Sequence, residues 1–136
     1  MRDAGPEEMS DEEVFENSYF YFVDSLQALA SPPEVACERY GHFNVAWEIK
    51  DDVSRGVYLA ESPVSRLSAR QAAAIKELAD ELSRLPENVI RFTKVIEKSL
   101  ENMRHPAWVP IRAKAARLVE GLRQVTETNK KYFSGK

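Results

Sequence analysis

The sequence predicts an all-α fold, a single-domain antiparallel bundle of about five helices. Three observations carry that expectation. Apolar residues recur at helical spacing of three and four over most of the chain. Three Ser pairs, Ser10 with Glu13, Ser31 with Glu34 and Ser68 with Gln71, match the capping box that satisfies the free amides of a new helix. Only Val57-Tyr58-Leu59 reads as an extended piece, and one strand without a partner makes no sheet.

Taken in order, the first helix is expected over Asp11 to Ala30, with Phe15, Tyr19, Phe22, Leu26 and Leu29 on one stripe. Ser31-Pro32-Pro33 stops it, and the prolines suit the first turn of a second helix, where their missing amides would be unpaired anyway. Ala36, Tyr40, Phe43 and Trp47 continue that second stripe toward Val53, placing Trp47 in the core. Gly41 interrupts it at a cost of about 1 kcal/mol relative to Ala, which points to close helix packing there. From Gly56 to Leu67 the pattern lapses into a loop. A third helix follows Ser68, carries Ile75, Leu78, Leu82 and Leu85, and ends at Pro86. Val89, Phe92, Ile96 and Met103 mark a fourth, which stops near His105-Pro106 because the residue before proline disfavours helical geometry. Ile111, Ala115, Leu118, Leu122 and Val125 mark the fifth. The domain is thus expected over residues 11–130, between a flexible acidic leader at 1–10 and a flexible tail at 131–136.

At 136 residues, 43% of them hydrophobic and 30% charged, the chain suits one soluble domain with one core. The longest apolar stretch, around Tyr19 to Val23, is too short to span a membrane, and the acidic N-terminus lacks the pattern of a secretory signal. A cytoplasmic location without membrane association is expected. Cys37 is the single cysteine, so no disulfide within the chain is possible, and it reads as a small core residue. The formal charge of −3 is unevenly spread. Residues 1–68 hold 14 acidic and 5 basic side chains, and residues 69–136 hold 8 acidic and 14 basic. Either one face is electronegative and another basic, or helices from the two halves neutralise each other.

Few patterns here carry chemistry. Glu38 and His42 share a helical spacing, yet neither the paired Glu-x-x-His of di-iron bundles nor His-Glu-x-x-His is present, so no metal or other cofactor is expected. Gly-x-Ser-x-Gly, a cysteine and histidine nucleophile signature and the phosphate-binding glycine loops are missing too, and no catalytic residue is assigned. No small-molecule substrate is expected, and the basic residues Arg112, Lys114, Arg117 and Arg123 fall around more than one face of the last helix, which argues against direct nucleic-acid binding. Glu48, Asp51 and Asp52 form the densest acidic group within an expected helix. Three like charges on neighbouring parts of one face repel, so either Arg55 or a basic partner relieves them.

The block Gly41-His42-Phe43-Asn44-Val45-Ala46-Trp47-Glu48-Ile49-Lys50-Asp51-Asp52-Val53, followed by Tyr58-Leu59, Leu85-Pro86 and Asn102-Met103-Arg104-His105-Pro106-Ala107-Trp108, resembles small helical bacterial immunity proteins of contact-dependent growth inhibition. The resemblance covers roughly residues 17–130. It implies a non-enzymatic protein that binds a cognate toxin domain, often a nuclease, in a stoichiometric complex. An inhibitor with an acidic face is steered toward the basic cleft of a nuclease. The expected partner-binding residues are therefore Glu38, Glu48, Asp51 and Asp52, with Tyr40 and Tyr58 as aromatic anchors. The alternative is a small adaptor or chaperone-like module that takes a peptide segment in an apolar groove.

Overall fold

Ser10 opens the first helix as its sequence dictates. Its hydroxyl accepts from the Glu13 amide at 3.1 Å while the Glu13 carboxylate accepts from the Ser10 amide at 3.0 Å, and α1 (Asp11–Ala30) follows. In this computed structural model, residues 10–62 and 66–127 are described. Most of the expected acidic leader and all of the expected tail lie outside them. Along α1, Phe15, Tyr19, Phe22, Leu26 and Leu29 are all buried, and the Phe15 and Tyr19 rings stack with centroids 5.9 Å apart.

The described residues are all-helical: seven α-helices and one 3₁₀ turn. After α1 come α2 (Pro33–Arg39), α3 (Val45–Ser54), α4 (Gly56–Ala60), α5 (Ala69–Ser83), the turn Glu87–Val89, α6 (Ile96–Met103) and α7 (Trp108–Gly121), with residues 123–127 helical again. Three departures from the expected bundle have physical reasons, and the first two raise the helix count from five to seven.

First, the expected second helix is broken. Gly41, His42 and Asn44 all adopt positive φ, at 74°, 70° and 50°, and no α-helix passes through left-handed residues. A Cβ on Gly41 would meet nothing within 4 Å, so this glycine serves the turn and not a close helix contact. Second, the expected loop after Gly56 contains α4. Third, the expected fourth helix begins only at Ile96. The Thr93 carbonyl is claimed by the Asn44 amide at 2.8 Å, and the Thr93 hydroxyl accepts from the Val95 amide at 3.0 Å, so these groups are drawn away from a helical ladder.

The caps follow the sequence at two of three sites. Ser68 and Gln71 form a complete capping box at the start of α5. Ser31 does not cap α2. Its hydroxyl donates backward to the Gln27 carbonyl at 2.7 Å, closing α1, and α2 starts at Pro33 without a side-chain cap.

The core unites residues from every α-helix. Trp108 and Ile75 are buried in it, and Cys37 is buried as expected, with burial pushing its thiol pKa up. Helix α1 packs along α7, where the Tyr19 hydroxyl donates to the Leu122 carbonyl at 3.2 Å and shares a hydrogen bond with Thr126 at 2.9 Å. Arg112 on α7 donates to the carbonyls of Ser31 and Met103, at 3.1 and 3.0 Å, so one guanidinium serves the ends of both α1 and α6. The fully buried Glu16 carboxylate is paired with Arg66, the kind of partner a buried charge requires.

Candidate functional site

A groove of about 1240 Å³ runs between α1 on one side and α3 with α4 on the other. Gly56 sets how closely α4 approaches α1 beside it. A Cβ at this position would sit 2.8 Å from Phe22 Cδ1, and Phe22 is a buried ring with little room to move, so only glycine lets the start of α4 approach α1 this closely. Val14, Ser18 and Tyr21 line the α1 wall, and Asp51, Asp52 and Arg55 the α3 wall. Helix α4 and the residue after it bring Tyr58 and Glu61.

Two tyrosines stand out of the groove. Tyr21 is 78% exposed and Tyr58 76%. Both carry a large apolar ring and a polar tip, the combination that favours interface contacts over core packing. Around them the lip is acidic. Asp51 pairs with Arg55 at 3.0 Å, while Glu61 lies 3.7 Å from Lys76. Asp52 accepts a hydrogen bond from the Tyr40 hydroxyl at 2.9 Å.

The groove therefore brings together Asp51, Asp52 and Tyr58 of the residues expected to bind a partner. Tyr40 is half-buried behind Asp52 and acts as its support. Glu38 and Glu48 are exposed on α2 and α3 but do not line the groove. Sequence reasoning missed Tyr21, Val14 and Glu61. The signal for Tyr21 was its place off the buried stripe of α1, an aromatic residue on what is otherwise the polar face.

No protein-family model, curated protein or solved structure matches this chain.

Both expected treatments of charge occur. Glu34 pairs with Arg104 and Glu61 with Lys76, so some acidic residues of the first half are neutralised by the second. The hydrogen bond from Arg104 holds the Glu34 carboxyl below its ordinary pKa. Lys114 on α7 joins Glu77 and Glu81 of α5, and these bonds raise its pKa. By contrast, Asp51 and Asp52 find partners inside the first half, Arg55 and Tyr40, and because the Tyr40 hydroxyl is neutral the Asp52 charge stays uncompensated on the lip.

The Tyr40 phenol is pushed well above its ordinary pKa, first by burial and then by the Asp52 and Asp24 charges, against the lowering effect of its bond to Ser25. The folded chain thus holds this proton at pH values where the unfolded chain has released it. The Tyr40 contribution to stability is complete below about pH 10 and declines as pH rises beyond that value toward the folded pKa. Replacing Tyr40 with Phe is expected to shallow the loss of stability above about pH 10, while costing about 1 kcal/mol at neutral pH through the hydrogen bond to Asp52. Urea midpoints of both proteins from pH 7 to about 11 measure this, and identical alkaline slopes would contradict it.

The aromatic residues divide between core and surface, against the expected stripes at Phe43, Trp47 and Phe92. Trp108 is fully buried, but Trp47 is 46% exposed, Phe43 50% and Phe92 61%, and Ile96 is also exposed. Both departures have the same origin. The left-handed turn at 41–44 shifts the helical register after Tyr40, and the non-helical segment 91–95 carries Phe92 off the expected stripe.

Proposed function

We propose that this chain is an immunity-type protein inhibitor, which binds a cognate bacterial toxin domain through the groove between α1 and α3–α4. The observation that carries the reading is the pair of exposed tyrosines, Tyr21 and Tyr58, set within a lip bearing Asp51, Asp52 and Glu61. Carboxylates on a lip speed encounter with a basic surface, and aromatic anchors hold it once docked. A nuclease cleft shaped to receive a polyanion is such a surface. In this reading the protein works in the cytoplasm without catalysis of its own, without cofactor, and without contacting nucleic acid, membrane or a small-molecule substrate. The resemblance of Gly41 to Val53 and Asn102 to Trp108 to growth-inhibition immunity proteins supports the same assignment.

The test is co-expression with the product of the gene immediately upstream, scored for its toxicity to growth. A one-to-one complex and restored growth are expected, and exchanging Tyr21 and Tyr58 together for Ala is expected to weaken the complex by about 100-fold or more with an unchanged melting curve. A toxin left fully active in the presence of excess protein, with no complex, would reject the inhibitor reading.

A further inference from the structure

A second surface lies away from the groove. The hydrogen bond from the Asn44 amide to the Thr93 carbonyl, 2.8 Å long, fastens the left-handed turn at 41–44 to the segment 91–95. Phe43 and Phe92 each adjoin one end of that bond in sequence, Trp47 lies three residues beyond Asn44 on α3, and Val95 and Ile96 lead into α6, which packs on α3. All five side chains are exposed. Half of the large exposed apolar residues of the described chain thus fall in two short stretches joined by a single bond.

We propose that this face is the contact between two copies of the chain, related by a twofold axis. Area is the first argument. An aromatic side chain offers about 150–250 Å² for burial, so three rings left half exposed present roughly 300 Å² before Val95, Ile96 and the rim are added. With Val95, Ile96 and the rim included, this is a substantial share of the about 800 Å² each partner contributes to a stable interface.

Charge chooses the occupant. The charged residues next to the patch in sequence are Glu48 and Glu97, Arg91 and Lys94, two of each sign. All four are exposed and none forms an ion pair among the described residues. A partner surface of a single sign, such as a phosphate backbone or an anionic lipid headgroup, would meet like charge on half of this rim. A second copy does not. Under twofold symmetry each patch faces its own pattern reversed in direction, so acidic groups of one copy can meet basic groups of the other. The groove between α1 and α3–α4 shares no lining residue with this face, so self-association stands or falls independently of the inhibitor reading.

Light scattering coupled to gel filtration, on the full chain at about 100 µM, tests the proposal directly. A particle of twice the chain mass is expected. Phe92→Asp and Trp47→Asp, both at exposed positions, are each expected to give a monomer with unchanged circular dichroism. The double variants Glu48→Lys with Glu97→Lys, and Arg91→Glu with Lys94→Glu, make the rim wholly basic or wholly acidic. Each is expected to weaken its own dimer by about 100-fold, and an equal mixture of the two is expected to form a mixed dimer. A monomeric wild-type chain would overturn the proposal, including where Phe92→Asp abolishes binding of another protein. So would a dimer indifferent to Phe92→Asp, or charge variants that fail to pair with each other.

Discussion

Replacing Trp108 with Ala is expected to lower stability by about 3–5 kcal/mol, whereas replacing Trp47 with Ala is expected to cost clearly less, about 1–2 kcal/mol, when the two are compared at concentrations low enough for the chain to be monomeric. The contrast rests on burial. Trp108 is wholly enclosed at the start of α7, and Trp47 stands half in solvent on α3. The indole Nε1 of Trp108 makes no hydrogen bond among the described residues, so truncation removes packing alone, without stranding a polar partner. For a domain of this size the loss corresponds to a drop of roughly 10–20 °C in melting temperature. Thermal unfolding followed by circular dichroism measures both variants. Equal melting points would mean that Trp108 does not anchor the core.

The second large effect concerns encounter with a basic partner. Reversing Asp51 and Glu61 together to Lys is expected to slow association by about 10- to 100-fold at low salt and to flatten its dependence on ionic strength. These two residues are better probes than Asp52, whose carboxylate also accepts the Tyr40 hydroxyl, so that reversing it would disturb the fold as well as the field. The pairs given up, Asp51 with Arg55 and Glu61 with Lys76, are largely solvent-exposed and contribute little to stability. Stopped-flow association with the purified toxin domain, at two salt concentrations, gives the answer. Rates unaffected by the reversal would move the contact away from the groove.

Local signals were legible wherever one element decides its own structure. The limits of α1, both ends of α5 to within two residues, and the break at His105-Pro106 follow from caps, prolines and one uninterrupted stripe. What escaped the sequence was decided by contacts between distant segments. Nothing near Thr93 announces that Asn44, 49 positions earlier, will take its carbonyl. Periodicity through Tyr40, Phe43 and Trp47 looks continuous, but a run of left-handed residues overrides it. The site was half legible for the same reason. Asp51, Asp52 and Tyr58 lie close in sequence, whereas Tyr21 joins them only because Gly56 allows α4 to settle against Phe22.

The packing of α1 along α7 also sets a clock for synthesis. Tyr19 finds its acceptors at Leu122 and Thr126, more than 100 residues downstream. At about 5–20 residues per second, the ribosome delivers them some 5–20 s after Tyr19 itself. Until then the side of α1 that α7 will cover has no permanent neighbour, and the ends of α1 and α6 lack the guanidinium of Arg112. A nascent chain stalled before α7 therefore exposes apolar surface to chaperones and proteases, and the folded protein becomes available only once its last described helix has emerged.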